Sequence, residues 1–260
     1  MHTGQTTRNY TGGISIEILH VTDTFFKDFY LPKKALFRAI VTKLFPGADR
    51  CLYLDADIIA DGDIGEFYSL DFNGADLAAC PEMGARLMIT NTSTLLEDHR
   101  GRYFNSGVLL WNLSKLRGRD LLGECKKALD SVTDLWWADQ DMLNIIFRDS
   151  CRLMDWRAFN FQTGYVKYSG SGKHCIYHYN GKPWKMDGYT CYKDLYWQYA
   201  LPIFGESAYR KWRLGYAVHA VTIMPLRFAL LTAKLSLRRR LGRERYEVLK
   251  ILLKGSARPS

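Results

Sequence analysis

Short apolar runs, each ended by a polar or turn-forming stop, follow one another along most of the chain. Residues 14–19 alternate between apolar and polar side chains, which predicts a strand. Residues 33–45 carry apolar side chains at helical spacing and end at Pro46-Gly47, which predicts a helix. Residues 51–54 all suit burial and predict a short strand that is buried on both faces.

The same pattern continues beyond the third element. Residues 77–80 predict another buried strand, and residues 108–111 an apolar run that leads into a helix from Asn112. A further helix is predicted from Asp139 to Phe147. Residues 83–103 are polar and irregular, and their length suits an active-site loop. A chain of 260 residues is long enough for a single α/β domain with a full core.

Two carboxylates, Asp55 and Asp57, follow the predicted strand at residues 51–54. Ligands of open α/β sheets bind just beyond the carboxyl ends of strands. Two hard oxygen ligands at that place suit Mg²⁺ or Mn²⁺ holding a diphosphate. The alternative is that both are turn residues, because Asp is common after strands. An EF-hand calcium loop is excluded, because Ile59 stands where that loop requires a carboxylate or amide.

Further polar residues occur in four segments that also carry apolar or glycine positions. These segments are residues 103–110, 137–144, 159–161 and 178–184. Each has an ordinary structural explanation when it is taken alone. Asp139 suits a helix N-cap, and Asn105 suits a turn whose backbone needs a partner. His178 before a glycine suits a structural role, and Trp184 after a proline suits a core aromatic.

In this order the segments closely resemble glycosyltransferase family 8, and within it the bacterial lipopolysaccharide glucosyl- and galactosyltransferases. The family's segments YLDxD, FNxGVLL, DQDxLN, FN and HxxG…KPW occur here in the same sequence. Arg38 also resembles the arginine of the family's Tyr-x-Arg helix. The resemblance covers residues from about 14 to 200. It implies an α/β fold of the GT-A type, a Rossmann-like mixed sheet flanked by helices.

The resemblance also implies a reaction and its ligands. The activity would be retaining transfer of a hexose, from UDP-glucose or UDP-galactose to a lipopolysaccharide or other lipid-linked glycan. Mn²⁺ or Mg²⁺ would be the cofactor, held by Asp55, Asp57 and His178. The other roles carried over are catalytic for Gln140, Asp139 and Asn105, donor-binding for Arg38, Gly181 and Lys182, and acceptor-binding for Glu82 and Trp184.

The sequence departs from the family pattern in two places. Family members begin with a strand–helix–strand–helix block before the counterpart of residues 14–19, whereas this chain has only about a dozen residues there. The expected fold is therefore N-terminally truncated. Lys182 also follows Gly181 directly, so the phosphate loop is shorter than in the family. A second hypothesis thus stays open: a catalytically inactive member or fragment that serves as a membrane-bound binding or assembly subunit.

Composition narrows the compartment. The hydrophobic content of 47% and the aromatic content of 14% fit an ordered globular protein. The six cysteines are widely spaced and form no Cys-x-x-Cys pair, which argues against a zinc site or a disulfide scaffold and suits a reducing cytoplasm. The N-terminus lacks a basic start followed by an apolar run, so we expect no signal peptide.

Positive charge is concentrated at the end of the chain. Residues 208–260 hold 13 Lys and Arg against two acidic residues, a formal charge of +11 in a chain whose net charge is +9. The uncharged run between Arg213 and Arg227 is 13 residues long, which is too short to span a bilayer. An interfacial helix, or a pair broken near Pro225, fits this pattern. The alternatives are a solvated basic face or a nucleic-acid site, but no nucleic-acid motif is recognisable.

We therefore expect three segments: a loose N-terminus at residues 1–13, a GT-A-like domain at 14–205 and a basic amphipathic membrane-associating tail at 206–260. The expected location is cytoplasmic, peripheral on the inner face of the cytoplasmic membrane. The expected partners are the sugar nucleotide, a glycan acceptor and an anionic membrane surface, and no nucleic acid.

Overall fold

The structure is a computed structural model, and the chain divides into two compact units, residues 1–178 and residues 179–260. Beyond residue 219 only some side chains are described. The described residues are 5–9, 15–19, 38–84, 102–131, 139–164, 174–184 and 191–241. Residues 33–37 of the predicted helix, 85–101 of the predicted loop and 242–260 of the predicted tail lie outside them.

Nine strands and seven helices are defined within the described residues. The strands are β1 Gln5–Asn9, β2 Ser15–Leu19, β3 Arg50–Leu54, β4 Ile58–Ala60, β5 Leu77–Pro81, β6 Phe104–Asn112, β7 Cys151–Leu153, β8 Phe161–Gln162 and β9 Ile176–His178. The helices are α1 Val41–Leu44, α2 Gly65–Tyr68, α3 Leu113–Leu116, α4 Leu121–Ser131, α5 Asp139–Phe147, α6 Trp156–Phe159 and α7 Lys193–Leu241.

The main sheet is mixed and has the strand order β3-β6-β5-β7. β6 pairs antiparallel with both β3 and β5, and β5 pairs parallel with β7. Every residue of β5 is buried, which confirms the buried strand predicted at residues 77–80. β6 is buried along its length except at Asn112, whose side chain accepts a hydrogen bond from the Lys115 backbone and caps α3. The mixed α/β architecture predicted from the sequence is confirmed.

The strand that precedes the two carboxylates differs from its prediction in burial. Every residue of β3 is only half-buried, so the expectation of burial on both faces is wrong. Within the described sheet β3 pairs only with β6 and forms an edge. A strand with a neighbour on only one side within the described sheet has fewer side chains packed beside its own, so its apolar residues are covered less completely.

The core lies between β6 and the helices α4 and α5. Trp111 of β6 is fully buried and meets the ring of Phe147 edge-on, with ring centroids 5.6 Å apart. Asn144 of α5 exchanges two hydrogen bonds with the backbone of Phe104, at 2.8 and 2.9 Å. These contacts hold α5 against β6, whose first residues include the predicted site residue Asn105.

A second, small sheet has the order β4-β9-β8 and brings distant residues together. β4 and β9 run antiparallel with Ile58 opposite His178, and β8 runs parallel to β9 with Gln162 opposite His178. Because Asp57 directly precedes Ile58, the pairing places His178 next to the predicted carboxylate pair.

The N-terminal residues depart from their prediction. Gln5–Asn9, expected to be loose, form β1 and pair antiparallel with β2. β2 itself matches the strand predicted over residues 14–19. Composition favoured a loose segment, but Thr6 and Thr7 are β-branched and suit a strand once a partner strand is available.

The second unit is dominated by α7, which confirms a helical C-terminal region. Its helical geometry is interrupted at Gly205, where φ is 80° and ψ is 162°. Of the two alternatives for this region, the pair of helices broken near Pro225 is wrong, because the helix continues through that residue. A proline removes one backbone hydrogen bond, whereas a positive φ takes the backbone out of the helical region altogether. Among the described residues, no helix carries a stretch long and apolar enough to cross a membrane.

Candidate functional site

Three potential metal ligands, Asp55, Asp57 and His178, meet between β3, β4 and β9. His178 Nε2 lies 3.5 Å from Asp57 Oδ1 and 3.9 Å from Asp55 Oδ2, and one ligand atom from each residue lies within 4.8 Å of the others. The Asp55 N–H donates to the Gly107 carbonyl at 2.8 Å, which holds the first carboxylate against β6. The structure thus brings together the three residues that the sequence resemblance implied as ligands.

These distances suit a divalent cation. In octahedral coordination with bonds of about 2.1 Å, neighbouring ligand atoms lie about 3 Å apart and opposite ones about 4.2 Å apart. The separations of 3.5 and 3.9 Å fall between these values. Two carboxylates with one imidazole are a donor set compatible with Mn²⁺ or Mg²⁺. Three protein ligands leave coordination positions for phosphate oxygens.

Arg38 and Tyr53 fix the orientation of Asp55. Arg38 Nη2 donates to Asp55 Oδ1 at 2.5 Å, and the Tyr53 hydroxyl donates to the same oxygen at 2.7 Å. Burial raises the pKa of Tyr53 well above its usual range, with the Asp55 charge adding to this and Arg38 opposing it, so the hydroxyl keeps its proton. Since Oδ1 is occupied, Oδ2 is the oxygen that faces His178.

Arg38 also connects the metal cluster with α5. Its other terminal nitrogen forms an ion pair with Asp139, and its guanidinium lies over the Tyr53 ring, 4.7 Å from the ring centroid. Arg38 is 9% exposed, so its charge is compensated by these contacts rather than by bulk water. Arg38, predicted to bind the donor, and Asp139, predicted to be catalytic, are therefore part of one connected group with Asp55.

Buried amides form a second layer beside the cluster. Gln140 Oε1 accepts from the Ser106 N–H at 2.9 Å, and Gln140 Nε2 donates to Glu82 Oε2 at 3.2 Å. Asn105 Nδ2 donates to the same Glu82 oxygen at 2.6 Å. The Gly84 N–H donates to Glu82 Oε1 at 2.8 Å. Glu82 is 4% exposed and holds Asn105 and Gln140 in place.

Asn160 is a site residue that the sequence analysis did not assign. Its Oδ1 lies 3.1 Å from His178 Nδ1, and its Nδ2 donates to Asn105 Oδ1 at 2.9 Å. It therefore links the imidazole of the metal cluster to the amide layer. A signal was present in the sequence, because a polar residue between two phenylalanines is a position where a buried hydrogen bond is expected.

Gly107 is a second unassigned residue, and its missing side chain matters. A Cβ atom at this position would collide with the His178 ring carbon Cε1 and lie 2.8 Å from Asp55 Oδ2. The glycine backbone therefore forms one wall of the space between these two ligands. The sequence signal was the Gly in the segment at 103–110, which stands directly before an apolar run.

Asp141 of α5 is linked to the amide layer through Tyr103, whose hydroxyl accepts a hydrogen bond from Gln140 Nε2 at 3.5 Å. The hydroxyl of Tyr103 donates to Asp141 Oδ1 in a short hydrogen bond, and both residues are buried. Burial, reinforced by the Asp141 charge, raises the pKa of Tyr103 far above its usual range. Tyr103 therefore keeps its proton and remains the donor to Asp141.

The remaining predicted site residues, Gly181, Lys182 and Trp184, belong to the second unit. The Lys182 N–H donates to the Tyr179 carbonyl at 2.9 Å, and Lys182 has a positive φ of 51°. Its Nζ lies 5.5 Å from the centroid of the Trp184 ring, a cation–π contact. Trp184 is 39% exposed, which is more than a core aromatic would be.

Comparisons of the sequence with known proteins identify its family. The sequence matches the family described as "Glycosyl transferase family 8" over residues 13–188. It is 29% identical over 221 residues to glycosyltransferase GlyB of Streptococcus pneumoniae, covering 76% of this chain and 51% of that protein. It is 33% identical over 135 residues to lipopolysaccharide 1,3-galactosyltransferase of Salmonella typhimurium, covering 48% and 39% of the two chains.

The fold agrees with solved structures. The galactosyltransferase LgtC, solved in complex with donor and acceptor sugar analogs, superposes with a TM-score of 0.55 at 21% identity, covering 65% of this chain and 67% of that one. This likeness supports the GT-A fold. The chain belongs to glycosyltransferase family 8. It spans about half the length of the first curated relatives that it matches.

Proposed function

We propose that the protein catalyses metal-dependent, retaining transfer of glucose or galactose from a UDP-sugar to a lipopolysaccharide or other lipid-linked glycan. The observation that carries this proposal is the cluster of Asp55, Asp57 and His178 directly beside a buried amide layer. The choice of sugar and acceptor rests on relatives named lipopolysaccharide 1,2-glucosyltransferase and 1,3-galactosyltransferase.

Asp55, Asp57 and His178 would hold Mn²⁺ or Mg²⁺. The bound cation would neutralise the negative charge that develops on the diphosphate when the sugar–phosphate bond breaks. The proposed roles of Lys182 and Gly181 are additional contacts with that diphosphate. Arg38, already paired with Asp55 and Asp139, would fix the orientation of both carboxylates toward the donor.

Retention of configuration is proposed to occur by attack from the same face, with the leaving phosphate as the base. Oxocarbenium-like character in the sugar suits a site rich in carboxylates. Gln140 is an amide and a poor nucleophile, and its Oε1 accepts hydrogen bonds from the Ser106 N–H and from Asn105. Asp139 is paired with Arg38, and Asp141 with Tyr103. A covalent sugar adduct trapped on Asp139 or Asp141 would overturn this part of the proposal.

Donor hydrolysis tests the activity. We expect hydrolysis of UDP-glucose or UDP-galactose in the presence of Mn²⁺, its loss on chelation, and its loss in Asp57→Ala. Asp149→Ala is the control, because Asp149 is exposed and pairs only weakly at 3.4 Å with Arg102. Metal-dependent binding of the donor with no turnover in the unaltered protein would favour the inactive binding or assembly subunit instead.

The membrane role of the basic region is a separate proposal. Leu214, Val218 and Val221 are exposed and lie on one face of α7 at helical spacing. Lys211 and Arg213 stand next to this apolar stripe and are exposed. An amphipathic helix with cations beside its apolar face binds anionic lipid at the interface.

Vesicle sedimentation tests this surface. We expect the protein to pellet with phosphatidylglycerol vesicles at low salt, to be released by high salt and not to pellet with phosphatidylcholine vesicles. A variant with Leu214, Val218 and Val221 changed to Ser should stay in the supernatant. Equal sedimentation with both lipids, or with and without the three substitutions, would contradict the proposal.

A further inference from the structure

We infer that Asn160 is a positioning residue that fixes the tautomer of His178, through a chain of hydrogen bonds that starts at the Gly107 backbone. The inference rests on the proposed function, because the tautomer matters for the reaction only if His178 binds a metal ion. The tautomer itself is deduced from hydrogen-bond geometry and is measurable in metal-free protein.

The chain of hydrogen bonds begins with a group whose role as donor is certain. A backbone N–H can only donate, and the Gly107 N–H lies 2.9 Å from Asn105 Oδ1. The carbonyl end of the Asn105 amide therefore faces Gly107, and its NH₂ end faces Glu82 Oε2 at 2.6 Å. A carboxylate accepts from that NH₂ group, so both ends of the amide require the same orientation.

The second link transfers this orientation to Asn160. Because Asn105 Oδ1 accepts, the atom of Asn160 that approaches it at 2.9 Å must be the nitrogen Nδ2. The carbonyl oxygen of Asn160 is then the atom that lies 3.1 Å from His178 Nδ1. Asn160 is fully buried and Asn105 is 6% exposed, so exchange of these partners for bulk water is blocked.

The third hydrogen bond determines which nitrogen of the His178 imidazole carries the hydrogen. An amide oxygen only accepts, so Nδ1 of the neutral His178 ring carries the hydrogen. Nε2 then presents its lone pair to the space shared with Asp57 Oδ1 at 3.5 Å and Asp55 Oδ2 at 3.9 Å. The opposite tautomer would place an N–H in that space and exclude a cation from it. The hydrogen-bond chain thus prepares Nε2 as a ligand before any ion binds.

The backbone explains why Asn160 reaches this place. Its N–H donates to the Trp156 carbonyl at 3.1 Å and ends α6, and β8 starts at the next residue. β8 pairs with β9 so that Phe161 lies opposite Tyr177, one residue before His178. The register sets Gln162 opposite His178, and Asn160, just before β8, is close enough for its side chain to reach the imidazole.

Imidazole ¹⁵N spectra of metal-free protein test the inference, with His178→Gln used to assign the signal among the six histidines. We expect the neutral His178 ring to carry its hydrogen on Nδ1 in the unaltered protein. Asn160→Leu should remove the preference and give mixed tautomers. It should also weaken Mn²⁺ binding, measured by electron paramagnetic resonance, by about 10- to 100-fold.

Asn112→Leu is the matched control, because Asn112 is a capping amide at the far end of β6. It should lower stability while both the tautomer and the Mn²⁺ affinity stay unchanged. A hydrogen on Nε2 in the unaltered protein would overturn the inference even if Asn160→Leu failed to fold. An unchanged tautomer in folded Asn160→Leu would overturn it as well. Because these spectra need neither donor nor turnover, an absence of transferase activity would leave them interpretable.

Discussion

Arg38 Nη2 lies 2.5 Å from Asp55 Oδ1, so one oxygen of a candidate metal ligand is already occupied by a cationic side chain. The same guanidinium pairs with Asp139, and its side chain is only 10% exposed. Two carboxylates from distant parts of the chain therefore share one buried positive charge. This arrangement holds the start of α5 against the end of β3.

The first prediction concerns this shared charge. Arg38→Met would leave Asp55 and Asp139 without their common partner, and a buried pair broken on one side is costly. Because both carboxylates keep some exposure, we expect the free energy of unfolding of metal-free protein to fall by about 2–3 kcal/mol. Urea denaturation measures the change.

Arg102→Met provides the comparison for that measurement. Arg102 pairs with Asp149 at 3.4 Å, and both side chains are mostly exposed. Exposed ion pairs contribute little, so the loss should stay below about 0.5 kcal/mol. Similar losses in the two variants would show that the Arg38 ion pairs are no more important than a surface contact.

Gly107 gives the second prediction. Alanine at this position would place a Cβ atom against the His178 ring and 2.8 Å from Asp55 Oδ2. We expect Gly107→Ala to weaken Mn²⁺ binding by at least about tenfold, since displaced ligands no longer converge on one ion. Mn²⁺ titration followed by electron paramagnetic resonance reports the affinity. Gly118→Ala is the control, because a Cβ there meets nothing within 4 Å. An unaltered affinity in folded Gly107→Ala would be incompatible with the proposed site.

The third prediction concerns acid stability and Asp76 at the start of β5. Burial alone would raise the pKa of Asp76, but hydrogen bonds from Lys115 and Ser150 and the charge of Arg119 outweigh it, and the pKa lies below its ordinary value of 3.8. Lys115 Nζ is 2.7 Å from Asp76 Oδ1. A depressed folded pKa means that the unfolded chain binds more protons. The contribution is therefore complete above the ordinary pKa and is lost as pH falls toward the folded value.

Asp76→Asn should accordingly lower the free energy of unfolding at neutral pH and approach the unaltered protein below about pH 4. Denaturant unfolding across a pH series measures the free energy of unfolding of both proteins at neutral and at acid pH. Asp149→Asn removes a carboxylate that is 78% exposed and should leave the curve nearly unchanged. Parallel curves for Asp76→Asn and the unaltered protein would contradict the assignment.

The local pattern of apolar and polar residues was sufficient to predict elements whose boundaries are set by neighbouring residues. The strand predicted at residues 77–80 is an apolar run with a clear stop, and β5 contains it. The apolar run at residues 108–111 lies within β6. The position of His178 beside Asp57 could not be predicted from local pattern, because it depends on the pairing of β4 with β9. It was predicted only from the family resemblance, which rests on the order of motifs along the chain.

The features that sequence reasoning missed depend on tertiary contacts. Asn160 bonds His178 because α6 ends and β8 begins at a particular register, and amide pairing of this kind has no periodic signal. β3 is half-buried because of its position in the sheet, which its apolar composition does not reveal. Gly205 interrupts α7, whereas Pro225 does not. Gly205 has a positive φ of 80°, a backbone conformation that glycine adopts readily and that is not helical.

The fourth prediction links metal binding to folding. A cation that binds the folded cluster of Asp55, Asp57 and His178 but not the unfolded chain stabilises the protein by about 2.7 kcal/mol at a free concentration 100-fold above Kd. We expect Mn²⁺ to raise the urea midpoint of the unaltered protein and EDTA to reverse the rise. His178→Gln should lose the effect. His174→Gln is the matched comparison, because His174 is equally buried, stacks on Phe161 with centroids 3.9 Å apart and has no part in the cluster. It should lower the midpoint through lost packing and yet keep the full response to Mn²⁺. A response to Mn²⁺ that survives in His178→Gln would place the binding elsewhere in the chain.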